Sequence, residues 1–247
     1  MNAAPPRKTI VILQSNYIPW KGYFDLLAAA DEFLIFDEVQ FTRRDWRNRN
    51  KVIVSGKPHW LTIPVQSKGN YDAPIDEIEV TGPQWAREHW QTISFNYRRA
   101  PFYGEIAPHL EAAYGHAGEL KRLTEINEHF LHVLGGLLDI RTPLLRTRDI
   151  PRTSDDPTAR LVEICAARAA TDYISGPAAR SYIDTARFDQ ARVRLHYATY
   201  AGYPTYDQGT TTFEHGVSII DTLMRCGPSC RSHLRSVAGD PGFLAPA

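Results

Sequence analysis

A chain of 247 residues, 43% hydrophobic and 23% charged, can bury one large core, and its composition excludes intrinsic disorder. Lysine plus arginine equal aspartate plus glutamate at 28 each, so no global field steers the chain toward nucleic acid or an anionic membrane, and any basic site is local. No apolar run approaches the ~20 residues of a spanning helix, Met1–Lys8 lacks a signal-like apolar stretch, and three cysteines give no disulfide framework. These features predict a cytoplasmic protein that inserts into no membrane and binds no nucleic acid.

Thr9–Leu13, TIVIL, is a continuous aliphatic run with the pattern of a strand buried on both faces of a parallel sheet. After a loop containing Pro19, residues 20–30 have helical composition, and Phe33–Phe36 forms a second apolar strand ending at Asp37. Strand, helix and strand make a βαβ unit with an expected right-handed crossover. Short strands are expected at Val52–Val54, Trp60–Val65 and Ile78–Val80. Pro83 opens a helix to about Arg98, Pro101 opens another, and Ala117–Leu138 reads as the longest, with Leu123, Ile126, Phe130, Val133, Leu134 and Leu137 on its core face. Leu144–Leu145 reads as a strand, Asp156-Pro157 caps a helix to about Ala169, and Tyr173–Ser175 is a strand before a brief helix reaching Tyr182. Val193–Tyr197 and Val217–Met224 read as a late strand and helix, with frayed ends before Thr9 and after about Val237. The expected fold is one α/β domain over residues 1–247, ordered from about 9 to 237, with residues 83–140 as a helical cap.

The first loop, Gln14-Ser15-Asn16-Tyr17-Ile18-Pro19-Trp20, lies where parallel sheets bind ligands, beyond the carboxyl end of a strand. Its amides and aromatics suit holding a polar ligand or ring; the alternative is that Tyr17 and Trp20 pack the loop onto the sheet. Past Asp37, Gln40 leads into Arg43-Arg44-Asp45-Trp46-Arg47-Asn48-Arg49-Asn50, four arginines in seven positions. Guanidinium forks match phosphate and carboxylate, whereas pairing with Asp37, Glu38 and Asp45 would make the same run a solvated loop. Ser175-Gly176-Pro177, between a strand and a helix, reads either as an anion-binding turn or as an ordinary cap. Trp85, His89, Ile93 and Tyr97 share a helix face, which makes His89 a core histidine or, if that face lines the cleft, a general base.

No metal or cofactor is predicted. Cys226 and Cys230 with His233 resemble a zinc half-site, but Gly227-Pro228-Ser229 reads as a helix stop, His215 is the sole nearby fourth ligand, and no second half follows. Cys165 reads as core, and His129 and His132 as solvated. No Walker loop, Gly-x-Gly-x-x-Gly turn, nucleophile elbow or serine triad occurs.

The segments QSNYIPWKGYFDLLAAADEFLIFDEVQFTRRDWRNRN, HWLTIPV, WAREHWQTISFNYRRAPFY, YISGPAARSYID and FEHGVSIIDTLMRCGP, in that order, resemble the WbqC-like protein family from about Ile10 to Leu234. His215 stands where a proline or asparagine is expected and inherits no role. The resemblance implies a bacterial protein of O-antigen or other surface-polysaccharide biosynthesis, and transfer of an acyl or aminoacyl group onto an amino sugar. The first segment also resembles, more distantly, the nucleotidyltransferase-like fold, although Trp20-Lys21-Gly22-Tyr23 lacks both histidines of its His-x-Gly-His motif.

The leading expectation is therefore a transferase for a small, anionic or phosphate-bearing substrate, with an acyl-thioester or acyl-carrier donor. Arg43, Arg44, Arg47 and Arg49 would hold anionic groups. Gln14, Asn16, Tyr17, Trp20, Tyr23, Gln40, Asn48, Asn50, Tyr97, Ser175 and Gly176 would shape the pocket, and Asp37 or His89 would handle protons. The rivals are an ATP-dependent nucleotidyltransferase or ligase relative and a non-catalytic binding or scaffold protein of the same pathway.

Overall fold

Strand β1 (Thr9–Leu13) buries both faces, and its period of two divides the molecule into two cores. Ile10 and Ile12 point into one apolar cluster and Val11 into the other; the computed structural model describes residues 6–66 and 72–247. Met1–Pro5, part of the N-terminal stretch expected to fray, lie outside the described residues. In β2 (Glu32–Ile35), Leu34 joins Ile10 and Ile12, while Phe33 and Ile35 join Val11. Such strands need helices on both faces, and the chain supplies them.

Helix α1 (Lys21–Ala28) contributes Phe24, Leu26 and Leu27 to the Val11 side. Helix α5 (Pro157–Ala167), capped by Asp156, contributes Leu161, Ile164 and Cys165 to the other, joined by Phe188 of α6 (Thr185–Gln190). The remaining strands are β5 (Leu144–Arg146), β6 (Asp172–Ser175), β7 (Arg194–Ala198) and β8 (Leu244–Pro246). The sheet order is β5-β2-β1-β6-β7-β8, parallel throughout except that β8 runs antiparallel to β7. The protein is thus a mixed α/β fold built on a mostly parallel sheet whose first unit is βαβ. Because β1 leads outward to β2 and β6 leads the opposite way to β7, the order reverses between β1 and β6. In open α/β sheets this reversal opens the crevice in which ligands bind.

A hairpin of β3 (Arg49–Val54) and β4 (Lys57–Thr62) follows β2, and then come α2 (Gln84–Tyr97), α3 (Tyr103–Ala117) and α4 (Leu123–Leu137). These helices share one continuous apolar cluster with Val11, Phe33 and α7 (Ile219–Cys226).

The expected helix over Ala117–Leu138 is interrupted. Its first residue ends α3, and α4 begins only at Leu123. Between them Val80 N–H donates to the Lys121 carbonyl and Leu123 N–H to the Ile78 carbonyl, so this backbone is spent on a tertiary pairing rather than on helix. At the other end, residues past Val237 do not simply fray: β8 pairs with β7, and Thr199 N–H donates to the Phe243 carbonyl.

Candidate functional site

The loops leaving β1 and β2 are tied together by a buried polar core. Ser15 donates its backbone N–H and its hydroxyl to the two carboxylate oxygens of Asp37, at 2.8 and 2.6 Å, and Thr124 Oγ1 donates to the same carboxylate at 2.7 Å. Asn127 Nδ2 donates to Ser15 Oγ and to the Arg47 carbonyl, both at 2.9 Å. Asp37, Ser15, Thr124 and Asn127 are all buried, so α4 is tied to both loops by buried hydrogen bonds.

In front of this core stands Arg47. Its guanidinium donates to Asn16 Oδ1 and, at 3.1 Å, to Gln14 Oε1. Asp45 Oδ2 is 3.7 Å away, within ion-pair range but beyond a hydrogen bond. The cation is therefore oriented by two neutral amides, and its charge is only weakly compensated. Behind the loop, Asn50 Nδ2 donates to the Tyr17 and Ile18 carbonyls, and Tyr23 donates its hydroxyl to the Gln14 carbonyl.

Ser175 ends β6, beside β1. The β1–β6 ladder ends at Val11↔Ile174, two residues before Leu13 and Gly176. A Cβ on Gly176 would stand 3.2 Å from the Tyr200 hydroxyl, and Tyr200 meets Trp20 edge-on with ring centroids 5.0 Å apart. Gln14, Trp20, Tyr23, Ser175 and Gly176 thus gather at the carboxyl ends of the two strands flanking the reversal.

Other members of the predicted set lie elsewhere. Tyr17 turns inward, its hydroxyl 2.8 Å from both His89 Nδ1 and the Tyr114 hydroxyl. Burial, helped by His59, lowers His89 to about 4 against the opposing hydrogen bond to the Thr62 backbone, so the ring is neutral at pH 7. Tyr97 donates to Asp221 Oδ1 at 2.8 Å and accepts Ile53 N–H at 2.9 Å. Asn48 Nδ2 donates to the Ile63 carbonyl. Arg49 lies over the Trp60 ring at 4.2 Å and donates to the Arg44 carbonyl, while Arg43 and Arg44 are exposed. Gln40, also exposed, donates to Asp72 at 3.1 Å. The structure therefore groups Gln14, Asn16 and Arg47 before Asp37, and spreads the other arginines along the surface.

Thr124 and Asn127 are not among the residues the sequence predicts for the site, although the position of Asn127 marks it. It sits between Leu123 and Phe130 on the apolar stripe of α4, where a polar residue needs a buried partner. Asp221, inside the run Ile219–Met224, carried the same signal and accepts from Tyr97, Tyr206 and Gln208. Lys21, at 2% exposure, gave none. Its Nζ donates to the Pro204 carbonyl at 3.0 Å and lies 5.0–5.6 Å from the Tyr203, Tyr206 and Phe213 rings. Burial lowers it to about 8. Cys226 Sγ is 4.0 Å from His233 Nε2, and Cys165 and Cys230 are buried. Burial raises all three thiols, opposite to the shift of a reactive cysteine.

A family model described as the WbqC-like protein family matches residues 14–233. A curated relative, "Uncharacterized protein Rv1507c" of Mycobacterium tuberculosis, is 42% identical over 228 residues, covering 92% of this chain and 98% of the relative. No solved structure matches significantly.

Proposed function

The chain belongs to the WbqC-like protein family, and we propose that its β1/β6 crevice binds a phosphate- or carboxylate-bearing small molecule and transfers an acyl or aminoacyl group to an amine on it, as on a nucleotide-linked amino sugar. One observation carries this reading: the Arg47 guanidinium is held beyond the carboxyl end of β1 by the neutral oxygens of Gln14 and Asn16. A fork so oriented recognises a planar or tetrahedral anion with little rearrangement. Gln14, Trp20, Tyr23 and Gly176 flank the substrate in this reading. The acceptor nitrogen attacks the donor's thioester carbonyl, the carbon–sulfur bond breaks, and the departing thiolate takes up the amine proton, while buried Asp37 positions the two loops through Ser15. His89 then serves Tyr17 and the loop rather than the substrate. The pathway is surface-polysaccharide biosynthesis in the cytoplasm; among the described residues no helix is long and apolar enough to cross a membrane.

Calorimetric titration of the intact protein with nucleotide sugars, nucleotides and acyl thioesters tests the reading. A ligand whose affinity falls at least tenfold in Arg47→Lys, with mass-spectrometric detection of an acylated amino sugar, supports it. Ligands that bind Arg47→Ala as well as wild type would overturn it.

The strand order favours a second reading. β5-β2-β1-β6-β7 is the doubly wound arrangement of nucleotide-binding sheets, which fits activation of a carboxylate by ATP. Magnesium-dependent release of pyrophosphate from ATP would select it over transfer from a thioester.

A further inference from the structure

Away from the β1/β6 crevice, three guanidiniums meet around one cavity. Arg98 and Arg99 follow the last turn of α2, and Arg225 reaches in from the last turn of α7. With Ser55 and Gly56 of the β3–β4 turn, Asn96 and Gly209, they line a space of about 240 Å³ that no carboxylate borders.

The surroundings of these arginines differ from those of the other well-placed ones. Arg160 is saturated by Glu38 and three backbone carbonyls, and Arg194 forks onto Asp172. No side-chain hydrogen bond or ion pair of Arg98, Arg99 or Arg225 occurs among the described residues. Arg98 lies over the Phe95 ring at 4.4 Å, and Arg225 over the Tyr97 ring at 5.9 Å. Arg225 Nε is buried without a hydrogen-bond partner. The nearby Asp221 is committed to Tyr97, Tyr206 and Gln208.

Arg225 is also held in place from outside. Its Nη atoms would stand 2.9 and 3.0 Å from a Cβ on Gly209, where φ is +67°. The positive φ favours glycine there, and its lack of a side chain lets the guanidinium lie close against the backbone. A donor-rich concavity with no carboxylate on its lining and a pre-positioned fork has the chemistry of a phosphate site.

We propose that the Arg98–Arg99–Arg225 pocket binds the phosphate or diphosphate group of a small phosphorylated ligand. Its volume lies below the usual small-molecule range of about 300–1,000 Å³, which suits a phosphate with a short organic stub rather than a whole nucleotide. The pocket lies past one end of β3 and Arg47 before the other, roughly 20 Å apart at about 3.3 Å per residue, so the proposal stands independently of the transferase reading. The competing account is that the three arginines only offset the negative ends of α2 and α7, which leaves them without affinity for an anion.

Titration of the intact, isotope-labelled protein with inorganic pyrophosphate, followed at the Gly56 and Gly209 amides at constant ionic strength, separates the two. Saturable shifts are expected at both amides, at least tenfold weaker in binding for Arg225→Lys and for the double variant Arg98→Gln/Arg99→Gln, and unchanged for Arg47→Gln. The double variant alters only exposed side chains, so its folding is secure even if Arg225→Lys loosens α7. Absence of saturable shifts up to about 20 mM pyrophosphate, or the same affinity in the double variant, overturns the proposal.

Discussion

The Ser15 hydroxyl and the Asp37 carboxylate lie 2.6 Å apart and join the loops that leave the two central strands of the βαβ unit. Ser15 passes the contact on, since its oxygen accepts from Asn127, which in turn donates to the Arg47 carbonyl. The position of the arginine at the crevice thus depends on a carboxylate it does not touch.

Ser15→Ala should therefore weaken two things together. Removing the hydroxyl leaves one Asp37 oxygen with a donor fewer and Asn127 with only the Arg47 carbonyl as acceptor, at a cost of about 1–3 kcal/mol in urea unfolding. Affinity for whichever anion binds Arg47 should fall while Arg47 itself is intact. A stability loss with unaltered affinity would show that the network supports the fold and not the site.

Tyr17→Phe removes the hydroxyl that links Tyr114 to His89. Both partners are then left buried and short of a bond, so a loss of about 1–3 kcal/mol is expected. The pH dependence gives a second readout. His89 has its folded value depressed to about 4, so the unfolded chain binds more protons between 4 and about 6.5, and stability falls as pH drops through that window. Replacing His89 with Gln should flatten this slope. An unchanged slope would place the buried neutral histidine outside the acid response.

Much of this arrangement could be read from pattern. The aliphatic run of β1 announced a strand covered on both faces, and the two apolar strands followed by Gln14 and Asp37 announced where the loops would open. Pattern gives a face but not what covers it. Tyr17 and His89 were legible as one loop aromatic and one helix-face histidine; that they meet each other inside the helical layer depends on how α2 lies against the loop. The break at residues 118–122 was hidden because its cause is a pairing with Ile78–Val80, some forty residues away. Strand β8, Leu-Ala-Pro, has no strand propensity of its own and exists because β7 offers an edge.

Glu32 gives an acid-side prediction. Hydrogen bonds from Arg168 at 2.7 and 2.8 Å, with Lys8 at 2.9 Å, lower its carboxyl to about 2 against the cost of burial. A depressed carboxylate stabilises the fold fully above its unfolded value near 4.5, and that contribution is lost as pH falls through about 2. Glu32→Gln should thus cost about 1 kcal/mol at pH 7, discounted for the partial exposure of the pair, with the difference closing between pH 4.5 and 2. Equal stabilities at pH 7 would show that the pair contributes nothing net.

Lys21 contributes oppositely at neutral pH, where its buried charge costs stability. Its amine is buried under Tyr203, Tyr206 and Phe213 and has one carbonyl acceptor, that of Pro204. Burial lowers it to about 8, and the attraction of Asp221 only partly offsets that cost. Between pH 8 and its unfolded value near 10.5 the unfolded chain holds more protons than the folded one, so wild-type stability gains from rising pH across that interval. Below pH 8 both states carry the charge and the penalty is full. Lys21→Met keeps most of the length and the ring contacts without the charge, and should raise stability by about 1–2 kcal/mol at pH 7. The advantage should shrink as pH climbs past 8 and nearly vanish by about 10.5, while tyrosine ionisation, common to both proteins, cancels in the difference. Urea unfolding of the two proteins at pH 7, 8.5 and 10 measures it. A methionine variant less stable at pH 7 would mean that the three rings and the Pro204 carbonyl more than repay the desolvation of the ammonium group.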